Sequence, residues 1–145
     1  MNTALQTIFA KHKGIEGALL PILHDIQHEL GYVPEDVVPL VAKELNLSRA
    51  EVHGVITYYH HFRQTPPGKH VVQVCCAEAC QANGSEALAA HAAKRLQGAD
   101  VTLEPVYCLG LCSIGPNIQI DEADLHARVT PKKFDTLMKK LGEKA

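Results

Sequence analysis

The apolar positions of this chain change their period near its middle. From Ile15 through Ala18, Leu19, Ile22, Leu23 and Ile26 to Leu30 they recur at intervals of three and four. That is the spacing of one helix face, and Gly31 supplies a stop. Pro21 falls in the first turn of this helix, where a missing N–H costs little. Pro34-Glu35-Asp36 starts a second helix, with a fixed φ and two acids at its positive end. Val37, Val38, Val41 and Leu45 form its apolar set, and Asn46 ends it. Ser48-Arg49-Ala50-Glu51 is a capping box opening a third helix, whose face is Val52, Val55, Ile56 and Tyr59. A short helix over residues 4–11 precedes all of these. Thr65-Pro66-Pro67-Gly68-Lys69 cannot continue a helix and marks a boundary. The expected division is an N-terminal helical domain, 1–68, and a second domain, 69–145.

Beyond that boundary the elements shorten. Val71 to Val74 reads as a short apolar strand, and Asn83 with Glu86 caps a helix through Leu88 and Ala92 to Leu96. Residues 101–106 form a second strand, which Pro105 ends or holds at an edge. Residues 118–120 and 125–129 read as a hairpin around Asp121 to Asp124. Thr130-Pro131 caps a last helix with Phe134, Leu137, Met138 and Leu141 on one face and Gly142 at its end. Strand-helix-strand followed by strand-strand-helix is the plan of a small thioredoxin-like α/β sandwich, which other α+β folds share. The expected fold class is α+β, an N-terminal helical bundle followed by an α/β domain for which a thioredoxin-like sandwich is one plan.

Composition narrows what the chemistry can be. The chain has 145 residues, 46% of them hydrophobic and 21% charged, enough for a core that needs no staples. A net charge of −2 argues against nucleic-acid binding, which favours a basic patch. No 18-residue apolar stretch suggests a membrane span, and the N-terminus carries no signal-peptide pattern. A reducing cytoplasm is the expected compartment. There, clustered cysteines point to metal or redox chemistry rather than disulfides.

Three of the five cysteines lie in VCCAEAC, residues 74–80, and the other two are Cys108 and Cys112. Cys75 is at the C-terminal end of the first strand and Cys108 just past the second. A strand-helix-strand unit makes those strands parallel, so both loops emerge at one edge of the sheet. The spacings from Cys75 and Cys108 are C-x4-C and C-x3-C. Zinc knuckles favour C-x2-C, and disulfide exchange wants C-x-x-C, which is absent. The longer loops favour a [2Fe–2S] rhomb, with zinc and reduced regulatory thiols as alternatives. The helix near Asn83 to Ser85 offers its N-terminus, while Gly110 and Gly115 let backbone N–H groups approach sulfur.

With these residues placed, the whole chain resembles the thioredoxin-like [2Fe–2S] ferredoxin family, which includes the small electron-transfer subunit of respiratory complex I. The match runs from the helical region through V-C-x4-C-x3-G-S to Y-C-L-G-x-C-x3-P. Within the family, GALLPILHDIQHELGYVP, LNLSRAEVHGVITYYHHFR, VQVCCAEACQANGSEAL and VTLEPVYCLGLC are most similar to the gamma subunit of molybdenum-dependent, NAD-linked formate dehydrogenases. The resemblance implies that Cys75, Cys80, Cys108 and Cys112 ligate one [2Fe–2S] cluster, with Cys76 a bystander. It also implies two partners: a flavin-containing, NAD-binding subunit carrying FMN, and a molybdenum-cofactor subunit that oxidises formate. Two departures stand out. Position 76 is a cysteine, which repeats the C-x3-C spacing, and Gly115 stands where many relatives place alanine.

Other features read more plainly. LSRAEVHGV fits a capped structural helix better than a DNA-reading one, because no basic face follows. His24, His28, His60 and His61 read as surface or interface residues. Tyr58, Tyr59 and Phe62 read as helix core, with docking as the alternative. Lys139, Lys140 and Lys144 complement the dipole of the last helix.

Overall fold

A computed structural model describes residues 2–143, and Lys144 lies outside them. The chain divides into two compact units, Met1–Pro67 and Gly68–Ala145.

The first unit is helical: α1 (Asn2–Lys11), α2 (Leu19–Leu30), a 3₁₀ turn (Glu35–Val37) running into α3 (Val38–Leu45), and α4 (Arg49–Tyr58). Its ends are set by local chemistry. Gly31 closes α2 at φ 82° and Asn46 closes α3 at φ 53°, each donating its N–H back to the last turn. Ser48 Oγ accepts from Glu51 N at 3.2 Å while Ser48 N donates to Glu51 Oε2 at 2.8 Å, completing the capping box. Ile22, Leu23, Ile26, Val37, Val41, Val52 and Ile56 form the core.

Three expectations change here. Ile15 lies outside the helix and is exposed, because Gly14 and Gly17 adopt positive φ and delay the helix to Leu19. Tyr59 is the C-cap of α4, with extended backbone, so it leaves the helix face. It and Tyr58 are exposed, and only Phe62 of that aromatic group is buried.

Two polar side chains, buried Gln27 and half-buried Asp25, hold the unit together. Gln27 of α2 donates to His61 O at 2.7 Å and accepts from Arg63 N at 2.8 Å, which pins the segment after α4. Asp25 accepts from Lys11 Nζ and His12 Nε2, both at 2.7 Å.

The second unit is a four-stranded sheet in the order β2-β1-β3-β4, from β1 (His70–Cys75), β2 (Val101–Val106), β3 (Ile118–Ile120) and β4 (Asp124–His126). β1 and β2 are parallel, and the other pairings are antiparallel. Pro105 sits on β2, an edge strand, where its missing N–H is tolerated. After a short helix, α5 (Glu78–Ala82), two longer helices, α6 (Ser85–Arg95) and α7 (Pro131–Glu143), pack with the sheet. Val72, Val74, Leu88, Ala92, Ile118 and Phe134 share their core. The α7 N-terminus is capped by Thr130 Oγ1, which accepts from Lys133 N at 3.2 Å.

The hairpin is tighter than its sequence suggests. Asp121 and Glu122 both take positive φ and Ala123 N donates to Ile120 O, so only residues 121–123 separate Ile120 from its partner Asp124. β4 ends at His126, because Arg128 turns at φ 48° and sends Val129 into the core. Among the described residues no helix is long and apolar enough to cross a membrane.

The Asp25 cluster gives a stability prediction. Lys11 is exposed, so its ion pair contributes little. His12 is only 9% exposed, so removing its acceptor strands a buried nitrogen. Asp25→Ala is expected to cost about 1–2 kcal/mol at neutral pH. The hydrogen bonds from Lys11 and then His12 hold the Asp25 carboxyl below its ordinary value of 3.8. Its stabilisation is therefore complete above that value and lost as pH falls through the lower folded one. Denaturant unfolding of wild type and variant should converge only in strong acid.

Candidate metal centre

β1 and β2 stay paired to their last residues, with Cys75 opposite Val106. The ladder extends one step further, as Cys76 N donates to Val106 O at 2.7 Å. Both following loops therefore leave the same edge of the sheet. The first enters α5 (Glu78–Ala82), which contains Cys80. The second carries Cys108 and reaches a 3₁₀ turn, Cys112–Ile114.

The thiols fall into pairs. Cys108 Sγ and Cys112 Sγ are 3.5 Å apart. Two thiolates on one tetrahedral metal, each at about 2.3 Å, sit roughly 3.7 Å apart. This pair is thus already spaced for one metal. Cys75 and Cys80 are both buried, and Cys75 is among the causes that raise the Cys80 pKa. The pairs also sense one another: charge on Cys112 opposes ionisation of Cys80, and charge on Cys75 opposes that of Cys112. Two thiol pairs in electrostatic contact fit a binuclear centre in which each metal takes one pair. Among the described residues no three His, Cys, Asp or Glu side chains group as the shell of a single ion.

The thiol pKa values are shifted in different directions. The Gly110 N–H donates to Cys108 Sγ at 3.3 Å and, with the Cys112 thiol, lowers the Cys108 pKa. Cys112 is raised, first by its bond to Cys108 and then by the charge there. The loop achieves this by sharp turning, with φ 120° at Cys108 and φ 79° at Gly110. Cys80 is raised by burial and by Cys75, against a lowering effect of the Asn117 backbone N–H.

Cys76 is set apart. Successive residues along a strand face opposite ways, which puts it on the side of Val72 and Val74, where α6 packs. Its Sγ contacts Val74 O at 3.5 Å. Burial raises its pKa most, followed by the charges of Cys75 and of Glu86 on α6.

Two expectations about this edge are corrected. Asn83 does not cap the long helix: its Nδ2 bonds back to Ala79 O at 2.6 Å, and Gly84, at φ 92°, is the N-cap of α6. The described donors to sulfur are accordingly Gly110 and Asn117 rather than the first turn of α6. Gly115 contributes through its missing side chain, since a Cβ there would lie 3.2 Å from Cys80 Sγ. Of the histidines singled out by sequence, His24 packs its ring on His61 and Phe62 at 5.0 Å. Sequence reasoning passed over Asn117. Its available signal was a polar residue wedged between Gly115-Pro116 and the buried Ile118.

The parallel strand-helix-strand unit thus places thiols at the C-terminal edge of a thioredoxin-like domain. The thioredoxin-like [2Fe-2S] ferredoxin profile matches residues 5–142, and the chain belongs to that family, whose members carry one [2Fe–2S] cluster. It is 33% identical over 131 residues to a component of the NADH-quinone oxidoreductase of Escherichia coli (strain K12), covering 85% of this chain and 78% of that protein. It is 32% identical over 132 residues to the HndA component of the NADP-reducing hydrogenase of Solidesulfovibrio fructosivorans, covering 85% and 76%. Among solved structures it superposes on the H2-reduced NAD+-reducing [NiFe]-hydrogenase with a TM-score of 0.70 and 21% identity, a likeness of fold. That match covers 88% of this chain and 22% of the hydrogenase chain.

A branched side chain at position 115 should crowd Cys80. Gly115→Val is expected to hold iron on the order of tenfold more weakly. Iron retention against a chelator checks this, with far-UV circular dichroism unchanged.

Proposed function

We propose that Cys75, Cys80, Cys108 and Cys112 hold one [2Fe–2S] cluster and that this chain is the electron-transfer subunit of an NAD-linked oxidoreductase complex. The observation that carries the reading is two thiol pairs at one sheet edge in a member of this family. When bound, the cluster supplies a one-electron carrier. The chain's part is to shape its surroundings. Cys75 and Cys80 anchor it inside the protein, and the Gly110 N–H offsets negative charge at Cys108. Cys108 and Cys112 are exposed, so a redox partner can approach that end. The partner in this reading is a flavin-containing, NAD-binding subunit, which carries out the hydride chemistry.

The complex is read as an NAD-dependent formate dehydrogenase with a molybdenum-cofactor subunit. Long ungapped segments support this, among them GALLPILHDIQHELGYVP and VTLEPVYCLGLC, which resemble its gamma subunit. A complex I or hydrogenase module is the alternative, supported by the names of the relatives at 33% and 32% identity. Isolation of the native assembly separates them. Formate-dependent NAD reduction with molybdenum in the complex is expected, whereas hydrogen- or quinone-linked activity without molybdenum would move the chain to the alternative.

The ligand set has its own test. Cys76→Ala is expected to keep full iron content and the reduced-state paramagnetic signal, while Cys75→Ala loses most of both. The reverse pattern would place the ligand register one residue later.

A further inference from the structure

Asn117 is a buried polar residue, 1% exposed, at the base of the cysteine-bearing edge. It touches all three segments that carry cysteines. Its backbone carbonyl accepts from Cys75 N at 3.0 Å, at the end of β1. Its side-chain Nδ2 donates to Leu111 O at 2.7 Å, inside the loop between Cys108 and Cys112. The same Nδ2 lies 3.5 Å from Cys80 Sγ, on α5.

The amide orientation follows from the Leu111 contact. A carbonyl oxygen at 2.7 Å accepts from an NH2 group, and an amide oxygen placed there would be repelled. Nδ2 is therefore the atom that faces Cys80. Oδ1, on the other side, is buried without a partner. Leu111 O takes one of the two Nδ2 hydrogens, which leaves the other directed toward Cys80 Sγ.

We propose that Asn117 is a positioning residue that locks the three cysteine-bearing segments together and raises the reduction potential of the bound cluster by donating to Cys80 Sγ. This rests on Cys80 being a ligand. Reduction adds one negative charge, part of which falls on the ligand sulfurs. A donor aimed at sulfur binds the more negative state more strongly and so favours reduction. Burial strengthens the effect, because little water competes for the sulfur.

The test uses the full chain, anaerobically reconstituted with iron and sulfide, and a redox titration followed by electron paramagnetic resonance. Asn117→Leu keeps the volume and removes the donor. Its midpoint is expected to move negative by about 59 mV, a roughly tenfold loss of reduced cluster at a given ambient potential. A fully loaded variant with an unshifted midpoint overturns the proposal. A second measurement needs no change at position 117: side-chain 15N-asparagine in the Asn83→Ala chain, which removes the label nearest Cys80 in sequence. Pulsed double resonance on the reduced signal should then detect a 15N coupling. Its absence overturns the proposal even where Asn117→Leu fails to take up a cluster. A wild-type chain that binds no iron removes the ligand assignment itself, and iron content tells that failure apart.

Discussion

The parallel pairing of β1 and β2 as far as Cys75 and Val106 is the constraint on which the site depends. Cys75 and Cys108 are more than thirty residues apart, and neither loop alone offers four thiols. Parallel strands need a crossover, here running through α5 and α6, and that crossover returns the chain to the same edge. Antiparallel pairing would have put the two loops at opposite ends of the sheet. The core beneath, with Val72, Val74, Leu88, Ala92, Ile118 and Phe134, holds this register by burying one face of β1.

The same register separates the two adjacent cysteines. The strand pleat turns Cys75 toward Cys80 and leaves Cys76 on the α6 side, where Glu86 adds negative charge. The site is also asymmetric. One thiol pair is buried, the other exposed and served by a backbone N–H. Such asymmetry fits a centre anchored on one side and open to electron exchange on the other.

What the sequence makes legible here is mostly local. Gly31, Asn46 and the Ser48–Glu51 box act within one helical turn, so residue type alone identifies them. The convergence of the cysteines is legible too, because strand-helix-strand order dictates parallel strands. The departures arise where short range gives no guide. α5 has five residues, too few for a period to emerge, and the Asn83-Gly84 pair that ends it also mimics the start of the next helix. Ile15 continues an apolar period that two positive-φ glycines interrupt. Asn117 was hidden for another reason. Its bonds reach Cys80 and Leu111, a relation that exists only once three segments are assembled.

The central claim is that two thiol pairs at one edge of this sheet hold a two-iron, one-electron centre. Iron and zinc analysis with spin-quantified electron paramagnetic resonance, on one anaerobic sample, tests it most directly. The account predicts two irons per chain, as the [2Fe–2S] family requires, and one unpaired spin after one-electron reduction. A colourless protein with one zinc per chain and no spin would contradict it.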